Sequence, residues 1–281
     1  MTFASRDAGY IGCMKLRTAP LFLALAMLAT PVSAEPAPAN VTLLPGWRME
    51  NGHHMAAIRV DLSDGWKTYW RAPGEGGIPP EIDWSQSSNV AGVTFHWPVP
   101  EVIRRDGMTT IGYEDELVLP VELVPARGGE AIHIDADVLV GICEEICVPL
   151  ETGFDSVLPA DLTAPDPVIE RALAARPDTA AEAGVSAASC TREELSDGVR
   201  LTAQIDMPSL GGDELVVMEA ANPAIWVSEA VASRGAEGAL MAHADFVPPN
   251  ARPFDIEGDE VRLTVIGAGR AVDIPGCDLS E

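Results

Sequence analysis

The chain has 281 residues and a formal net charge of −25, because 43 Asp and Glu residues outnumber 18 Lys and Arg residues. So strong a negative charge should repel nucleic acid and anionic lipid surfaces; alternatively, it serves solubility alone. The length is enough for one large domain or two modest ones.

The N-terminal residues are typical of a secretion signal. A basic segment at Lys15 and Arg17, an apolar run over 21–29 and a small-residue cleavage site ending at Ala34 follow one another. We expect residues 1–34 to be a signal peptide, with translation starting at Met14. The apolar run is too short to cross a bilayer, and no later stretch is long and apolar enough. An exported chain without stable membrane insertion is therefore predicted.

From Val41 onward, short strand-like runs alternate with turn residues, a pattern typical of an antiparallel β-sandwich. A Ser-Asp-Gly turn at 63–65 predicts a hairpin. Residues 71–80 contain too much Gly and Pro for regular structure. The candidate strands of this first sandwich, over about residues 40–160, are 56–62, 66–70, 81–84, 90–97, 117–124, 132–140 and 148–158.

A Pro- and Ala-rich segment over 161–188 predicts a linker with one short helix. Asp166 suits the N-cap and Pro167 the first helical position. A second strand series follows, and a disulfide between Cys190 and Cys277 would close it into a second sandwich over 189–281. Its candidate strands are 199–207, 214–219, 225–232, 240–246 and 261–266. The predicted fold class is all-β, with two antiparallel β-sandwich domains.

The cysteines beyond the predicted signal peptide are even in number, which favours two disulfides in an exported protein. The spacing favours Cys143–Cys147 and Cys190–Cys277 among three possible connectivities. Closing a loop of about 88 residues is worth about 4–5 kcal/mol in the chain-entropy argument, against about 2 kcal/mol for five residues. We expect the long loop to be the structural staple and the short one to open more readily.

Cys143 and Cys147 sit between two apolar, β-branched runs, which predicts two strands joined by a three-residue turn. The cysteines would then face each other and open and close as a redox couple; a permanent disulfide is the alternative. Glu144 and Glu145 disfavour a thiolate, so the pair should be a better target for a partner's thiolate than an attacker. Alternatively, the two carboxylates are solvated turn residues.

The other motifs give weaker indications of a metal site, a phosphate site or catalysis. His53-His54-Met55 could join the cysteine pair to bind Cu(I), although no spacing enforces this. The Gly-rich segment 74–77 lacks the Lys-Ser/Thr ending of a phosphate loop, and hydrolase motifs do not occur. The bulky aromatic residues expected to fill the sandwich core include Trp66, Tyr69 and Trp70.

Three segments become informative together with the cysteine pair. They are Gly-Trp-Lys-Thr-Tyr-Trp-Arg-Ala-Pro-Gly over 65–74, Gly-Ile-Pro-Pro over 77–80 and Gly-Tyr-Glu-Asp-Glu-Leu-Val-Leu-Pro-Val over 112–121. With Cys143-x3-Cys147 they resemble the N-terminal periplasmic domain of the thiol:disulfide interchange protein DsbD. The resemblance is closer still to the same region of the copper-sensitivity suppressor ScsB. It covers about residues 40–160 and continues more loosely to the C-terminus.

The resemblance implies an immunoglobulin-like sandwich that relays electrons in the periplasm by protein-disulfide-reductase-type exchange. By position, Cys147 would form mixed disulfides with partners and Cys143 would resolve them. A cap loop over about 101–107 would cover the cysteines. Its central residues, which do not reproduce the aromatic cap of DsbD, are Ile103, Arg104, Arg105 and Asp106.

The resemblance also implies partners. A thioredoxin-like or membrane electron-transfer protein would be the donor, and a periplasmic disulfide or copper-stress protein the acceptor. No cofactor or metal is implied, because the exchange needs only the sulfurs. DsbD and ScsB carry a transmembrane region and a C-terminal thioredoxin-like domain, and this chain is expected either to borrow both from separate proteins or to have lost the relay. Two alternatives stay open: a non-catalytic periplasmic binding module with structural disulfides, and a copper-binding protein.

Overall fold

A computed structural model describes residues 37–105, 107–235 and 238–280. The regular secondary structure of the described chain is almost entirely strand, most of it antiparallel, which confirms the predicted all-β class. The predicted signal peptide over 1–34, with its start at Met14, lies outside the described residues.

Within the described residues, the N-terminal strands are β1 (Ala39–Arg48), β2 (His54–Leu62), β3 (Lys67–Gly74), β4 (Glu81–Asp83), β5 (Gly92–Phe95), β6 (Glu101–Arg105), β7 (Met108–Glu114), β8 (Glu116–Val124), β9 (Ile132–Cys143) and β10 (Cys147–Leu158). The helix α1 (Pro167–Ala174) follows. The C-terminal strands are β11 (Asp178–Thr179), β12 (Ala187–Glu194), β13 (Val199–Asp206), β14 (Leu215–Ala220), β15 (Trp226–Val227), β16 (Val231–Arg234), β17 (Leu240–Val247), β18 (Val261–Gly267), β19 (Arg270–Pro275) and β20 (Asp278–Ser280). A short 3₁₀ helix, Gly258–Glu260, precedes β18.

The first sandwich has two sheets that share one apolar core. One sheet has the strand order β1-β2-β8-β5, and the other has the order β10-β9-β3-β7-β6, with β4 also paired to β9. Strand β9 shows how the sequence selects the two faces of a sheet. Its alternate residues Ile134, Val138 and Ile142 are buried in the core, together with Trp70 of β3, and the residues between them face outward.

The second sandwich repeats this architecture with its own core. Its sheets have the orders β11-β19-β18-β14 and β15-β17-β13-β12-β20, with β16 also paired to β17. A disulfide joins Cys190 on β12 to Cys277, which directly precedes β20, so it ties the first long strand of this sandwich to its C-terminal end. The domain limits of 40–160, 161–188 and 189–281 stay a prediction.

The predicted helix is confirmed. The Asp166 side chain caps it by accepting a hydrogen bond from the Val168 N–H at 2.7 Å. Ile169 and Ala172 are buried against the apolar side chains that β2 and β8 present on the outer side of the four-stranded sheet. The helix therefore covers the face of the first sandwich opposite its core.

Two local predictions are wrong. Residues 63–65 do not form a hairpin, because β2 pairs with β1 and β8 whereas β3 pairs with β7 and β9. The turn instead carries the chain from one sheet to the other. The prediction failed because turn residues specify a chain reversal but not which strand will be the hydrogen-bonding partner. Strand β3 also extends to Gly74, so the first part of the segment predicted to be irregular is extended strand.

Candidate functional site

The strands that carry Cys143 and Cys147 form a tight hairpin. Strand β9 ends at Cys143, β10 begins at Cys147, and the two residues are paired directly across the ladder. The connecting turn consists of Glu144, Glu145 and Ile146, which are all exposed. A disulfide joins the two cysteines at the end of this hairpin.

The two cysteines differ in exposure. Cys143 is buried, because β9 lies between β10 and β3 in the sheet. Cys147 starts the edge strand β10 and is exposed. A thiol carried by another protein can therefore approach the sulfur of Cys147 more readily than that of Cys143.

The sulfurs lie on the outer face of the six-stranded sheet. Ile142 belongs to the core, so the neighbouring Cys143 faces the opposite side. Lys67 on β3 is paired directly with Cys143, and Tyr69, two residues farther along β3, shares the face of Lys67. The register therefore gathers Lys67, Tyr69 and the disulfide on one surface.

The Tyr69 hydroxyl contacts both sulfurs. It donates a hydrogen bond to Cys143 Sγ at 2.7 Å and lies 3.2 Å from Cys147 Sγ. Tyr69 is buried, and burial raises the pKa of its phenol, so the hydroxyl keeps its proton and remains a donor at neutral pH. The sequence interpretation of Tyr69 as a core residue is wrong, because its side chain lies on the face opposite the core.

Two glycines make room for the Tyr69 ring. A Cβ atom added at Gly77 would lie 2.8 Å from Tyr69 Cδ1. One added at Gly141 would lie 3.1 Å from Tyr69 Cδ2 and 2.5 Å from the Cβ of Ile78. The ring is therefore held in a slot in which larger residues would displace it from the sulfurs.

Cations share this surface with the cysteine pair. Lys67 is buried, and its Nζ donates to Thr110 Oγ1 at 3.0 Å. Burial lowers the pKa of Lys67, the nearby Arg105 lowers it further, and Glu114 opposes both effects. Lys67 is 76 positions from Cys143 in sequence and becomes its neighbour only when β3 pairs with β9.

A cavity of about 620 Å³ opens over the disulfide. Besides both cysteines, its lining includes Lys67, Tyr69, Arg105 and Met108. Glu75 and Gly76 form another part of its wall. The Glu75 carboxylate accepts the Thr109 N–H at 2.9 Å and the Glu75 N–H donates to the Thr109 carbonyl at 3.0 Å, so this wall is fastened to β7.

The expected cap loop is largely a strand. Ile103, Arg104 and Arg105 belong to β6 and pair with residues of β7. Ile103 is buried, Arg104 is exposed and Arg105 lines the cavity; Asp106 lies outside the described residues. The prediction of a loop is wrong for 101–105, which form a hairpin with 108–114. That this segment covers the cysteines stays a prediction, although Arg105 does line the cavity over them.

The copper ligand set is not brought together. His53 Nδ1 lies 2.6 Å from Glu122 Oε1, and the buried His54 places Nε2 2.6 Å from the Pro45 carbonyl. His54 begins β2 of the four-stranded sheet, His53 directly precedes it, and Met55 packs beneath the helix. Among the described residues no three His, Cys, Asp or Glu side chains are grouped to hold a metal.

Comparison with known proteins agrees with this geometry. Residues 34–159 match the family profile described as the N-terminal part of the thiol:disulfide interchange protein DsbD. This part of the chain is similar to the DsbD N-terminal domain. The similarity associates this part of the chain with thiol–disulfide interchange in general.

Solved structures extend the likeness beyond the DsbD N-terminal domain. The N-terminal periplasmic domain of ScsB from Proteus mirabilis is 23% identical and superimposes with a TM-score of 0.64, covering 90% of this chain and 97% of that one. The N-terminal domain of DsbD from Neisseria meningitidis, in its reduced form, is 21% identical with a TM-score of 0.25, covering 41% of this chain and 82% of that one. No curated protein sequence matches the chain.

In the described part of the chain, no helix has the length and apolar character needed to cross a bilayer.

Tyr69 is the functional candidate that sequence reasoning missed. The signal available was its position within the 65–74 segment that carries the family resemblance.

Proposed function

We propose that the chain is a periplasmic thiol–disulfide interchange protein in which Cys143 and Cys147 carry two electrons. The donor is a thioredoxin-like or membrane electron-transfer protein, and the acceptor is a periplasmic disulfide or copper-stress protein. The observation that carries the proposal is the Tyr69 hydroxyl, which lies 2.7 Å and 3.2 Å from the two sulfurs beside an exposed Cys147.

Reduction of the pair begins at the exposed sulfur. A partner thiolate attacks Cys147 Sγ, the Cys143–Cys147 bond breaks, and Cys143 leaves with the electron pair as a thiolate. The partner's second thiolate then attacks the partner sulfur of the mixed disulfide and releases Cys147. The chain gains two electrons and the partner becomes a disulfide.

Electron delivery runs through the same two sulfurs. The Cys147 thiolate attacks an oxidised acceptor and forms a mixed disulfide, and the first acceptor sulfur leaves with its electron pair. Cys143 then attacks Cys147 Sγ, which restores the internal disulfide and releases the second acceptor sulfur. A hydrogen bond from the Tyr69 hydroxyl favours negative charge on Cys143, because hydrogen bonds to charged groups are stronger than those to neutral ones.

The surroundings of Cys147 suit a protein partner. Ile146 is 75% exposed, Met108 is 52% exposed and Val148 is 38% exposed, which is unusual for large apolar side chains. Glu144 and Glu145 add negative charge beside them. A partner that presents an apolar patch with a basic rim would bury these side chains while its thiolate reaches Cys147.

The reduction potential of the Cys143–Cys147 pair tests the proposal. We expect alkylation counts across glutathione buffers to give a midpoint above about −250 mV, with Cys190 and Cys277 still bonded. A midpoint below about −300 mV would mean a permanent disulfide, and the binding-module alternative would replace the relay.

Trapping provides the second arm of the test. Replacing Cys143 with Ser removes the resolving sulfur, so mixed disulfides on Cys147 should accumulate in cells that contain the partners. The matched variant Cys147→Ser keeps only the buried sulfur and should trap far less. Equal, monomeric behaviour of both variants would contradict the assigned roles.

A further inference from the structure

Strand β3 takes part in two contacts at once. Lys67 and Tyr69 line the cysteine cavity, and Arg71, two residues beyond Tyr69, reaches the second sandwich. The ladder between β3 and β7 is interrupted between Tyr69 and Gly74. The part of β3 that follows Tyr69 therefore lacks the regular pairing on β7 that fixes its first three residues.

Arg71 fastens this unpaired part of β3 to the second sandwich. Its Nε lies 3.0 Å from Glu219 Oε1, its Nη2 lies 3.0 Å from Glu219 Oε2, and Nη2 also donates to Thr264 Oγ1 at 3.2 Å. The guanidinium carbon stacks 4.0 Å from the centre of the Trp70 ring. The two charged side chains are only 16% and 22% exposed, so this two-point pair is more specific and less screened than a surface ion pair.

Apolar packing supports the same junction. Leu215 and Val217 of β14, Ile266 of β18 and Ala271 of β19 pack with the core of the first sandwich, which includes Trp70. The second sandwich therefore presses its β11-β19-β18-β14 sheet against the side of the first sandwich from which Arg71 extends.

A second contact reaches the cavity wall. Glu229, between β15 and β16, interacts with the backbone of Glu75, and burial together with the Glu75 charge raises the pKa of Glu229. Glu75 is the wall residue that is hydrogen-bonded in both directions to Thr109. The second sandwich thus touches the unpaired part of β3 at Arg71 and the loop just beyond it at Glu75.

We infer that the second sandwich is a positioning domain for the cysteine pair: through Arg71 and Glu219 it holds β3, and with it the Tyr69 hydroxyl, against the two sulfurs. The inference rests on the proposed function, because it assigns the redox pair a supporting domain. Glu219 acts on the sulfurs only through Arg71 and Tyr69 and is a positioning residue, not a catalytic one.

A double-mutant cycle on the full chain tests the inference. Tyr69→Phe should shift the thiol–disulfide equilibrium toward the disulfide by about five- to tenfold, because the reduced pair loses its donor. Glu219→Gln should shift it in the same direction by a smaller factor of at least twofold. The double variant should equal Tyr69→Phe alone, since both changes remove the same hydrogen bond.

Matched controls separate positioning from general stability. Arg200 and Asp245 form a pair of the same two-point geometry, at 2.6 and 2.9 Å, that lies wholly within the second sandwich. Arg200→Gln should leave the equilibrium unchanged. Arg71→Lys keeps the positive charge but loses the two-point hydrogen bonding of the guanidinium. Its thiol–disulfide equilibrium should therefore lie between those of the wild type and Glu219→Gln.

The outcomes distinguish this inference from the proposed function. Each variant is equilibrated with dithiothreitol, which also opens disulfides that resist glutathione, and its fold is checked by circular dichroism. If the thiol–disulfide equilibrium of Glu219→Gln matches that of the wild type, the positioning role is overturned. It is also overturned if the effect of Glu219→Gln adds in full to that of Tyr69→Phe. Resistance of the wild-type pair to glutathione would overturn the proposed function alone, because the dithiothreitol cycle still reports whether the second sandwich acts on the sulfurs.

Discussion

Removing the Tyr69 hydroxyl should make the Cys143–Cys147 pair harder to reduce. Tyr69→Phe keeps the ring in its slot between Gly77 and Gly141 and deletes only the donor that lies 2.7 Å from Cys143 Sγ. A hydrogen bond to a charged group is worth about 1.5–3 kcal/mol and one to a neutral group about 0.5–1.5 kcal/mol. The thiolate is charged and the disulfide is not, so the reduced state loses about 1–1.5 kcal/mol more than the oxidised state.

This difference converts to a measurable potential. For a two-electron couple about 1.4 kcal/mol corresponds to 30 mV, so the midpoint should fall by about 20–30 mV. The assay is alkylation of thiols across redox buffers at pH 7, where the hydroxyl keeps its proton because burial raises the pKa of Tyr69.

Tyr113→Phe is the matched control for this prediction. Tyr113 is a buried tyrosine on β7. Its hydroxyl donates a hydrogen bond to the Pro98 carbonyl at 2.9 Å rather than to a sulfur. Its loss should reduce stability by about 1 kcal/mol without moving the midpoint. If Tyr69→Phe also leaves the midpoint in place, the hydroxyl does not favour the reduced pair and the reasoning from its geometry fails.

Three other predictions have defined outcomes. Gly141→Ala should destabilise the fold by about 1–3 kcal/mol in urea unfolding, because its Cβ would lie 2.5 Å from a neighbouring side chain, whereas Gly153→Ala, with 3.6 Å of room, should cost far less. Two histidine hydrogen bonds lower the pKa of Glu122. The stabilisation of the fold by the ionised Glu122 is therefore fully present at a pH above the ordinary glutamate pKa. It is lost as the pH falls through the lowered pKa of Glu122, so Glu122→Gln should flatten the acid side of a stability–pH profile. Replacing Cys190 and Cys277 together by Ser should cost about 2–5 kcal/mol in thermal or urea unfolding and leave the midpoint of the other pair unchanged.

The cysteine hairpin could be predicted because its information is local. Two β-branched runs and a three-residue spacing determine that Cys143 and Cys147 oppose each other, and alternation along β9 decides which face is buried. The helix was equally local, since Asp166 and Pro167 specify its start. Such features need no knowledge of which distant strand will be the neighbour.

Tyr69 and Lys67 could not be placed in the same way. Tyr69 is 74 positions from Cys143, and its role depends on β3 lying beside β9 in one sheet. The predicted hairpin at 63–65 would have paired β3 with β2 and removed both residues from the cysteines. Composition marks Tyr69 as a core filler, because a large aromatic residue in a buried strand gives no sign of which face its hydroxyl will meet.

Charge is distributed unequally around the two sulfurs, and this asymmetry gives the disulfide a preferred direction of opening. The turn between the two cysteines carries Glu144 and Glu145, which disfavour negative charge on both sulfurs. On the buried side, the Tyr69 hydroxyl meets Cys143, and Lys67 is its partner across the ladder. Negative charge is therefore tolerated better on Cys143 than on Cys147. In the proposed relay, an incoming thiolate meets the accessible sulfur and expels the one better able to hold the charge, so the burial and the register both favour attack at Cys147 with Cys143 as the leaving group.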